Sequence, residues 1–115
     1  MIKIKRGDII LVNLDPAIGS EQGKTRPAVV IQNNTGNEFS PVTIVAPITS
    51  KVYSREFPTN VSVSAKDLGL KYDSTILLNQ IRTIDKTRIK KRIKNLDLLL
   101  MEKVNLAIKV SLGLD

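Results

Sequence analysis

Short runs of branched and apolar residues, each bounded by glycine, proline or asparagine, fill most of this chain. They predict five β-strands, over residues 8–14, 28–32, 42–48, 60–64 and 74–84. The connecting segments carry turn-forming residues, and the longest of them span residues 15–25 and 49–59. Short strands separated in this way are typical of a small antiparallel sheet or barrel.

The last part of the chain changes period. Large aliphatic residues recur there at i, i+4 spacing: Leu96, Leu100, Val104, Ile108 and Leu112. Asp97 in the first turn and Gly113 after the last position predict a terminal helix of about four turns. Residues 66–70 predict one further helical turn, 33–37 predict a turn, and 87–96 fit a strand or a helix equally well.

The sequence therefore predicts a mainly β fold, in which a C-terminal helix caps a small curled sheet or barrel. The chain has 115 residues, a length typical of one domain, so we expect a single domain over residues 1–115.

Two missing residue types limit the chemistry. The chain contains no cysteine and no histidine, which excludes thiolate and imidazole zinc sites, cysteine nucleophiles and histidine acid–base catalysis. Any catalysis therefore has to use Arg, Lys, Asp, Glu, Ser, Thr, Tyr or backbone groups, and we expect no cofactor.

The charge balance favours a polyanionic partner. Eighteen Lys and Arg against eleven Asp and Glu give a net charge of +7. Seven basic residues and one acidic residue lie between Arg82 and Lys94, a run that suits nucleic acid, a solvated face or an acidic protein partner. Because no apolar run reaches the length of a membrane span, we expect a cytoplasmic protein.

The densest polar cluster is Gly19-Ser20-Glu21-Gln22-Gly23-Lys24-Thr25-Arg26. Its glycines allow close approach of backbone N–H groups to a phosphate. Arg26 is expected just before the second strand, where its guanidinium suits a bidentate phosphate contact. The alternative is an Arg26–Glu21 ion pair that only fixes the loop.

Two strand ends carry further polar candidates. Thr49 follows Pro47-Ile48, so its hydroxyl either faces a substrate phosphate or caps the strand. Within the 74–84 strand, Gln80 and Arg82 are expected on one face and Asn79 and Ile81 on the other. These polar side chains either read bases or face water.

Taken in order, the motifs resemble the MazF/PemK family of toxin endoribonucleases. The match comprises Arg6-Gly7-Asp8, Gly19-Ser20-Glu21-Gln22, Arg26-Pro27, Pro47-Ile48-Thr49, Gln80-Ile81-Arg82-Thr83 and the terminal helix. It covers nearly the whole chain. Two features depart from the family pattern: Asn79 stands where a carboxylate is expected, and residues 88–94 are more basic.

The resemblance implies an SH3-like barrel of the CcdB/PemK type, a homodimer and an acidic antitoxin as partner. It also implies metal-independent cleavage of single-stranded RNA, with Arg26 and Thr49 as catalytic residues and 2′,3′-cyclic phosphate and 5′-OH ends as products. We expect the RNA in a groove lined by residues 15–25 and 49–59. The predicted RNA-binding residues are Gly19, Ser20, Glu21, Gln22, Tyr53, Phe57, Asn79, Gln80 and Arg82.

Two questions stay open at this point. A guanidinium remains protonated at neutral pH and is a poor base, so Glu21 is a second candidate for the general base. The alternatives to a nuclease are a barrel that binds RNA or protein without chemistry, and a toxin of the CcdB type that acts on DNA gyrase by protein contact.

Overall fold

The structure is a computed structural model that describes residues 2–55 and 57–115. The strands in these residues are β1 (Asp8–Asn13), β2 (Thr25–Val30), β3 (Val42–Thr49), β4 (Asn60–Val63), β5 (Ser74–Leu77), β6 (Arg82–Asp85) and β7 (Ile89–Asn95). The helices are α1 (Asn34–Phe39), α2 (Ala65–Leu68) and α3 (Leu98–Leu112), with a 3₁₀ turn over Lys86–Arg88. The predicted mainly β class with a terminal helix is confirmed.

The strands form one antiparallel sheet in the order β4-β5-β3-β2-β1-β7, and β6 also pairs with β3. Strand β3 is the hub, because it pairs with β2 along one edge and with β6 and then β5 along the other. Strand β7 lies at the end of this order and pairs with β1. The segment between β3 and β4 has no regular structure where it is described, and Glu56 lies outside the described residues.

The central strands are buried on both faces. Along β1, Ile9 belongs to an apolar cluster that includes α3, whereas Ile10 and Val12 belong to a second cluster on the other face of the sheet. Successive side chains of a strand point to opposite faces, so both faces of β1 need apolar residues. This explains why the strand is apolar from Ile9 to Val12 instead of alternating.

Helix α3 confirms the terminal helix predicted from the i, i+4 pattern. The Asp97 carboxylate accepts a hydrogen bond from the Leu100 N–H at 2.9 Å, and Gly113 ends the helix. Leu100 and Val104 are buried, but Leu112 at the end of the predicted stripe is exposed. Across residues 2–55 and 57–115, no helix is long and apolar enough to cross a membrane.

Residues 34–39 form helix α1, so the prediction of a simple turn over 33–37 is wrong. The Asn33 side chain accepts from the Gly36 N–H at 2.8 Å and starts the helix. Buried Asn37 accepts from the Thr43 hydroxyl at 2.7 Å, and the Lys86 ammonium donates to its carbonyl. Polar contacts to β3 and Lys86 therefore hold α1, and such contacts leave no periodic apolar signal.

The prediction of one strand over residues 74–84 is also wrong. A turn at residues 78–80 separates β5 from β6, and the two strands pair with different parts of β3. The ambiguous segment 87–96 becomes the 3₁₀ turn and β7, because it pairs with β1. Strand β2 begins at Thr25, three residues earlier than expected.

Candidate active site

Arg26 and Thr49 lie at adjacent strand ends. Strands β2 and β3 pair antiparallel, with Ala28 opposite Pro47. The observed pairing ends there, and Arg26 and Thr49 lie two residues farther along each strand, at the same end of the pair. A guanidinium and a hydroxyl are therefore present at this end of the two strands.

Arg26 lies inside β2 and not before it, which corrects the expected position. Its Nε donates to the Gly23 carbonyl at 2.7 Å, so the loop that precedes the strand orients the guanidinium. The Arg26–Glu21 ion pair is absent from the described residues, in which the ion pair observed joins Arg92 and Asp8. The rest of the guanidinium fork is therefore not occupied by that carboxylate.

A cavity of about 320 Å³ beside Arg26 is lined by residues from three parts of the chain, including Ser50, Lys71 and Tyr72. None of these three residues belongs to the motifs that predicted the site. Lys71-Tyr72 is a basic–aromatic pair just before β5, and that adjacency was the only signal that marked it. The cavity gives the Arg26 edge a concave surface with a cation and a phenol beside the guanidinium.

Thr49 is nearly buried, with 9% of its surface exposed. Its Oγ1 accepts a hydrogen bond from the Lys51 N–H at 3.2 Å. This contact is the strand-capping geometry given above as the alternative for Thr49. It uses a lone pair, however, and a hydroxyl that accepts one bond still has its proton to donate.

Six of the predicted RNA-binding residues line a second cavity, of about 450 Å³: Ser20, Glu21, Gln22, Asn79, Gln80 and Arg82. Pro47 of β3 also lines it, two residues before Thr49. The expected division of Gln80 and Arg82 from Asn79 and Ile81 onto opposite faces is wrong, because the turn at 78–80 interrupts the strand and all four line this cavity.

Gln80 connects the two walls of this second cavity. Its Oε1 accepts from the Gln22 N–H at 2.8 Å, and its Nε2 donates to the Ser20 carbonyl at 3.3 Å. Both groups of the amide are thus engaged with the 15–24 loop. Arg82 holds the base of the same loop, since its Nη1 donates to the Leu14 carbonyl at 2.8 Å.

Glu21 and Gly19 shape the tip of the loop. The Glu21 Oε1 accepts from the Ile18 N–H at 2.7 Å, while Glu21 itself is exposed. Gly19 has a φ of +58°, a conformation that glycine adopts without a steric penalty. The loop thus presents a carboxylate into the second cavity, and Arg26 lines the first one.

Tyr53 and Phe57 lie elsewhere, in a cavity of about 600 Å³ between the 50–59 segment and α3. Their rings meet edge to face with centroids 5.8 Å apart. Lys51 lies 4.8 Å from the Tyr53 ring centroid, and Arg55 lies 5.4 Å from that of Phe57. The single chain does not bring these aromatics into the cavity lined by Ser20 to Gln22.

No group of three or more Asp and Glu side chains in residues 2–55 and 57–115 is arranged to hold a metal ion. The candidate polar groups are a guanidinium beside the first cavity, a carboxylate and amides that line the second cavity, and the Thr49 hydroxyl at the end of β3. Such groups bind and polarise a phosphodiester by hydrogen bonding and charge.

The fold is that of small toxin barrels of the MazF type. A crystal structure of MazF from Deinococcus radiodurans superposes with a TM-score of 0.84 at 22% identity, over 99% of this chain and 100% of that one. A mycobacterial endoribonuclease in complex with its cognate antitoxin gives a TM-score of 0.78 at 20% identity, covering 97% of each chain. These likenesses confirm the expected CcdB/PemK-type fold.

Residues 5–112 match the family of PemK-like, MazF-like toxins of type II toxin-antitoxin systems. The chain belongs to this family. It is 50% identical to the endoribonuclease EndoA of Bacillus subtilis (strain 168) over 111 residues, which are 96% of both proteins. It is 49% identical to the endoribonuclease MazF of Staphylococcus saprophyticus over 111 residues, 96% of this chain and 92% of that protein.

Proposed function

We propose that this chain is a toxin endoribonuclease that cuts single-stranded RNA at specific short sequences without a metal ion. The position of Arg26 and Thr49 at the same end of the paired strands β2 and β3 is the observation that supports the proposal. Two relatives at about half identity over nearly the whole chain are named endoribonucleases, which supports the same activity.

The reaction uses the nucleophile that RNA itself carries. The ribose 2′-oxygen attacks the adjacent phosphorus, the bond to the 5′-oxygen breaks, and the products are a 2′,3′-cyclic phosphate and a 5′-OH. Aligning an intramolecular attack supplies about 7–11 kcal/mol in the best cases. One donor aimed at the developing oxyanion contributes about 2.7–4 kcal/mol. Arg26 and Thr49 have the donors to perform both tasks.

The general base is the open step. Arg26 is fixed by the Gly23 carbonyl and suits charge stabilisation. Glu21 is exposed, and one of its oxygens accepts a backbone N–H, which leaves the other oxygen to take a proton. A variant with Glu21→Gln separates the two: unchanged single-turnover cleavage eliminates Glu21 as the base.

The test of the proposed function is cleavage of end-labelled single-stranded RNA in the presence of EDTA, followed by analysis of the new ends. We expect defined cuts with cyclic phosphate and 5′-OH termini, and their loss in Arg26→Ala. The matched control is Lys109→Ala, which removes an exposed cation on α3 far from the site in sequence and retains cleavage. Binding without cuts, or cuts that need a divalent cation, contradicts the proposal.

The partners follow from charge and from exposed apolar surface. The net charge of +7 suits an acidic antitoxin that occupies the RNA-binding surface. Leu106 and Val110 of α3 are more than half exposed, which supports a homodimer that covers part of this helix. The RNA groove then lies across the dimer, and the protein acts in the cytoplasm, where its RNA substrate is found.

Sedimentation measures the proposed association directly. We expect a dimer for the unmodified chain and a shift toward monomer for Leu106→Asp, because a carboxylate at that position opposes apolar contact. Equal sedimentation of the two proteins as monomers contradicts the homodimer.

A further inference from the structure

Strand β7 is an unusually basic edge of the sheet. No acidic residue lies between Asp85 and Asp97, and the strand itself carries Lys90, Lys91, Arg92 and Lys94. All four of these side chains are exposed. Like charges at this density repel one another and oppose folding. A bound polyanion would reduce this electrostatic repulsion.

The pairing of β7 with β1 gives the strand two extra residues. Ile10 pairs with Arg92 while Ile9 pairs with Lys94, and Val12 pairs with Ile89 while Leu11 pairs with Lys91. Ile93 and Lys90 are the residues left without a partner, as in β-bulges. Bulges bend a strand and change the direction of its side chains, so the lysines do not follow a simple alternation between the two faces.

One end of β7 is joined to the candidate active site. Arg88, just before the strand, donates through Nη1 to the carbonyls of Asn13 and Asp15. Asp15 begins the loop that carries Ser20, Glu21 and Gln22. From this point the seven residues of β7 extend about 20 Å along the edge of the sheet. The basic strand therefore leads away from the base of the site loop.

The four basic side chains of β7 differ in whether they already contact other groups of the protein. Arg92 Nε binds the Asp8 carboxylate at 3.0 Å. The Lys94 side chain lies against α2, where its Cδ would be 3.7 Å from a Cβ added at Gly69. Lys90 and Lys91 have no acidic side chain within salt-bridge distance among the described residues. These two ammonium groups are the ones most available to an external anion.

We propose that β7 is an exosite that binds the phosphodiester backbone of RNA beyond the cleaved bond. The proposal rests on the proposed nuclease function. RNA is favoured over an acidic protein because the strand is continuous with the loop at the candidate site. Lysines, as flexible point charges, also contact phosphates without reading sequence. The exosite strengthens binding of long RNA and leaves the choice of cut site to the 15–24 loop and the 78–80 turn.

The experiment measures binding of an uncleavable RNA that carries a 2′-deoxy sugar at the cut position. A minimal RNA and RNAs extended on either side are titrated at several salt concentrations. The variant is Lys90→Gln with Lys91→Gln, and the matched control is Lys66→Gln with Lys109→Gln, two exposed lysines on α2 and α3. Thermal unfolding verifies that both double variants fold.

Each phosphate contact to a single strand contributes about 0.7 to the slope of log K against log salt. For one of the two extensions, we expect a slope about 1.4 steeper than for the minimal RNA. When the salt concentration rises about fourfold, from 50 to 200 mM, this steeper slope means that the extended RNA loses about sevenfold more affinity than the minimal RNA. In the Lys90/Lys91 variant the slopes for extended and minimal RNA coincide, while the control variant keeps the difference.

Equal slopes for extended and minimal RNA with the unmodified protein overturn the exosite, as does a Lys90/Lys91 variant that keeps the difference. If that variant keeps the RNA slopes but escapes inhibition by an acidic peptide, β7 is a protein-docking surface and the proposal is wrong. Cleavage of the minimal RNA with its normal ribose at the cut position is measured in a separate assay. If this RNA is not cleaved, the nuclease function is wrong, whereas the salt slopes still test whether β7 binds RNA.

Discussion

Replacing Gln80 by methionine tests whether this residue positions the site loop or reads a base. Methionine keeps the approximate volume of glutamine and removes both ends of the amide. In the structure those ends bind the Gln22 N–H at 2.8 Å and the Ser20 carbonyl at 3.3 Å. The substitution therefore removes the hydrogen bonds between the 15–24 loop and the 78–80 turn, while a side chain of similar size still lines the cavity.

The expected magnitude follows from the two distances. The first bond is near the ideal length and contributes about 1 kcal/mol, and the second is long and contributes about 0.5 kcal/mol. Together they stabilise the ordered loop by about 1.5 kcal/mol. If RNA cleavage requires that loop geometry, kcat/KM falls about tenfold.

The assay compares kcat/KM for several cut sites mapped on one long RNA. A positioning role lowers all sites by a similar factor, because each depends on the same loop. Asn79→Ala provides the comparison, since Asn79 lines the same cavity and, among the residues that the structure describes, the side-chain bonds from this turn to the loop come from Gln80. A change below twofold refutes the reasoning, and so does a changed order of preferred sites at undiminished maximal rate, which is the behaviour of a base-reading residue.

Four further predictions concern the stability of the folded chain. Asp8→Ala leaves the Lys5 N–H and the Asn95 amide without their buried acceptor and lowers the free energy of unfolding by about 3 kcal/mol. Arg92→Ala costs less than about 1 kcal/mol because that side chain is half exposed; equal losses in urea unfolding would contradict this. Gly7→Ala lowers stability by about 1–3 kcal/mol, measured by thermal unfolding, because the φ of +92° strains any side chain. Finally, hydrogen bonds from the Thr87 side chain and backbone hold the pKa of Asp85 below its ordinary value of 3.8. Thr87→Val raises that pKa, which carboxyl NMR measures. At neutral pH the variant is therefore less stable than the unmodified protein. This difference in stability disappears at low pH, where Asp85 is protonated in both proteins, and acid unfolding measures it.

The elements predicted from the sequence are those whose burial leaves an apolar run or an apolar period in the chain. Helix α3 is set by its apolar spacing, and β4 by the alternation that buries Val61 and Val63. Helix α1 has no such pattern, since buried Asn37 and its hydrogen bonds to Gln32 and Thr43 hold it in place. Contacts of that kind become visible only when the partner strands are in position.

The same distinction applies to the site. Glycines, Arg26 and Thr49 are recognisable from their motifs and from the family resemblance. The role of Gln80 is not, because its hydrogen bonds join residues 58 and 60 positions apart in the chain. The segment over residues 74–84 is mostly apolar and contains no glycine or proline, so the sequence predicts one strand. The turn at 78–80 is required only because β5 and β6 pair with separate parts of β3.

Strand β3 has a consequence for how such a toxin is switched off. Thr49 ends a strand that β2, β5 and β6 all hold, and most of its residues are buried. A strand with partners along both edges opens only at a free energy near that of global unfolding. Thr49 itself pairs with Thr75 of β5. On the role proposed for its hydroxyl, inhibition of the enzyme then comes from a partner that covers the end of β2 and β3, and not from local opening of the strand.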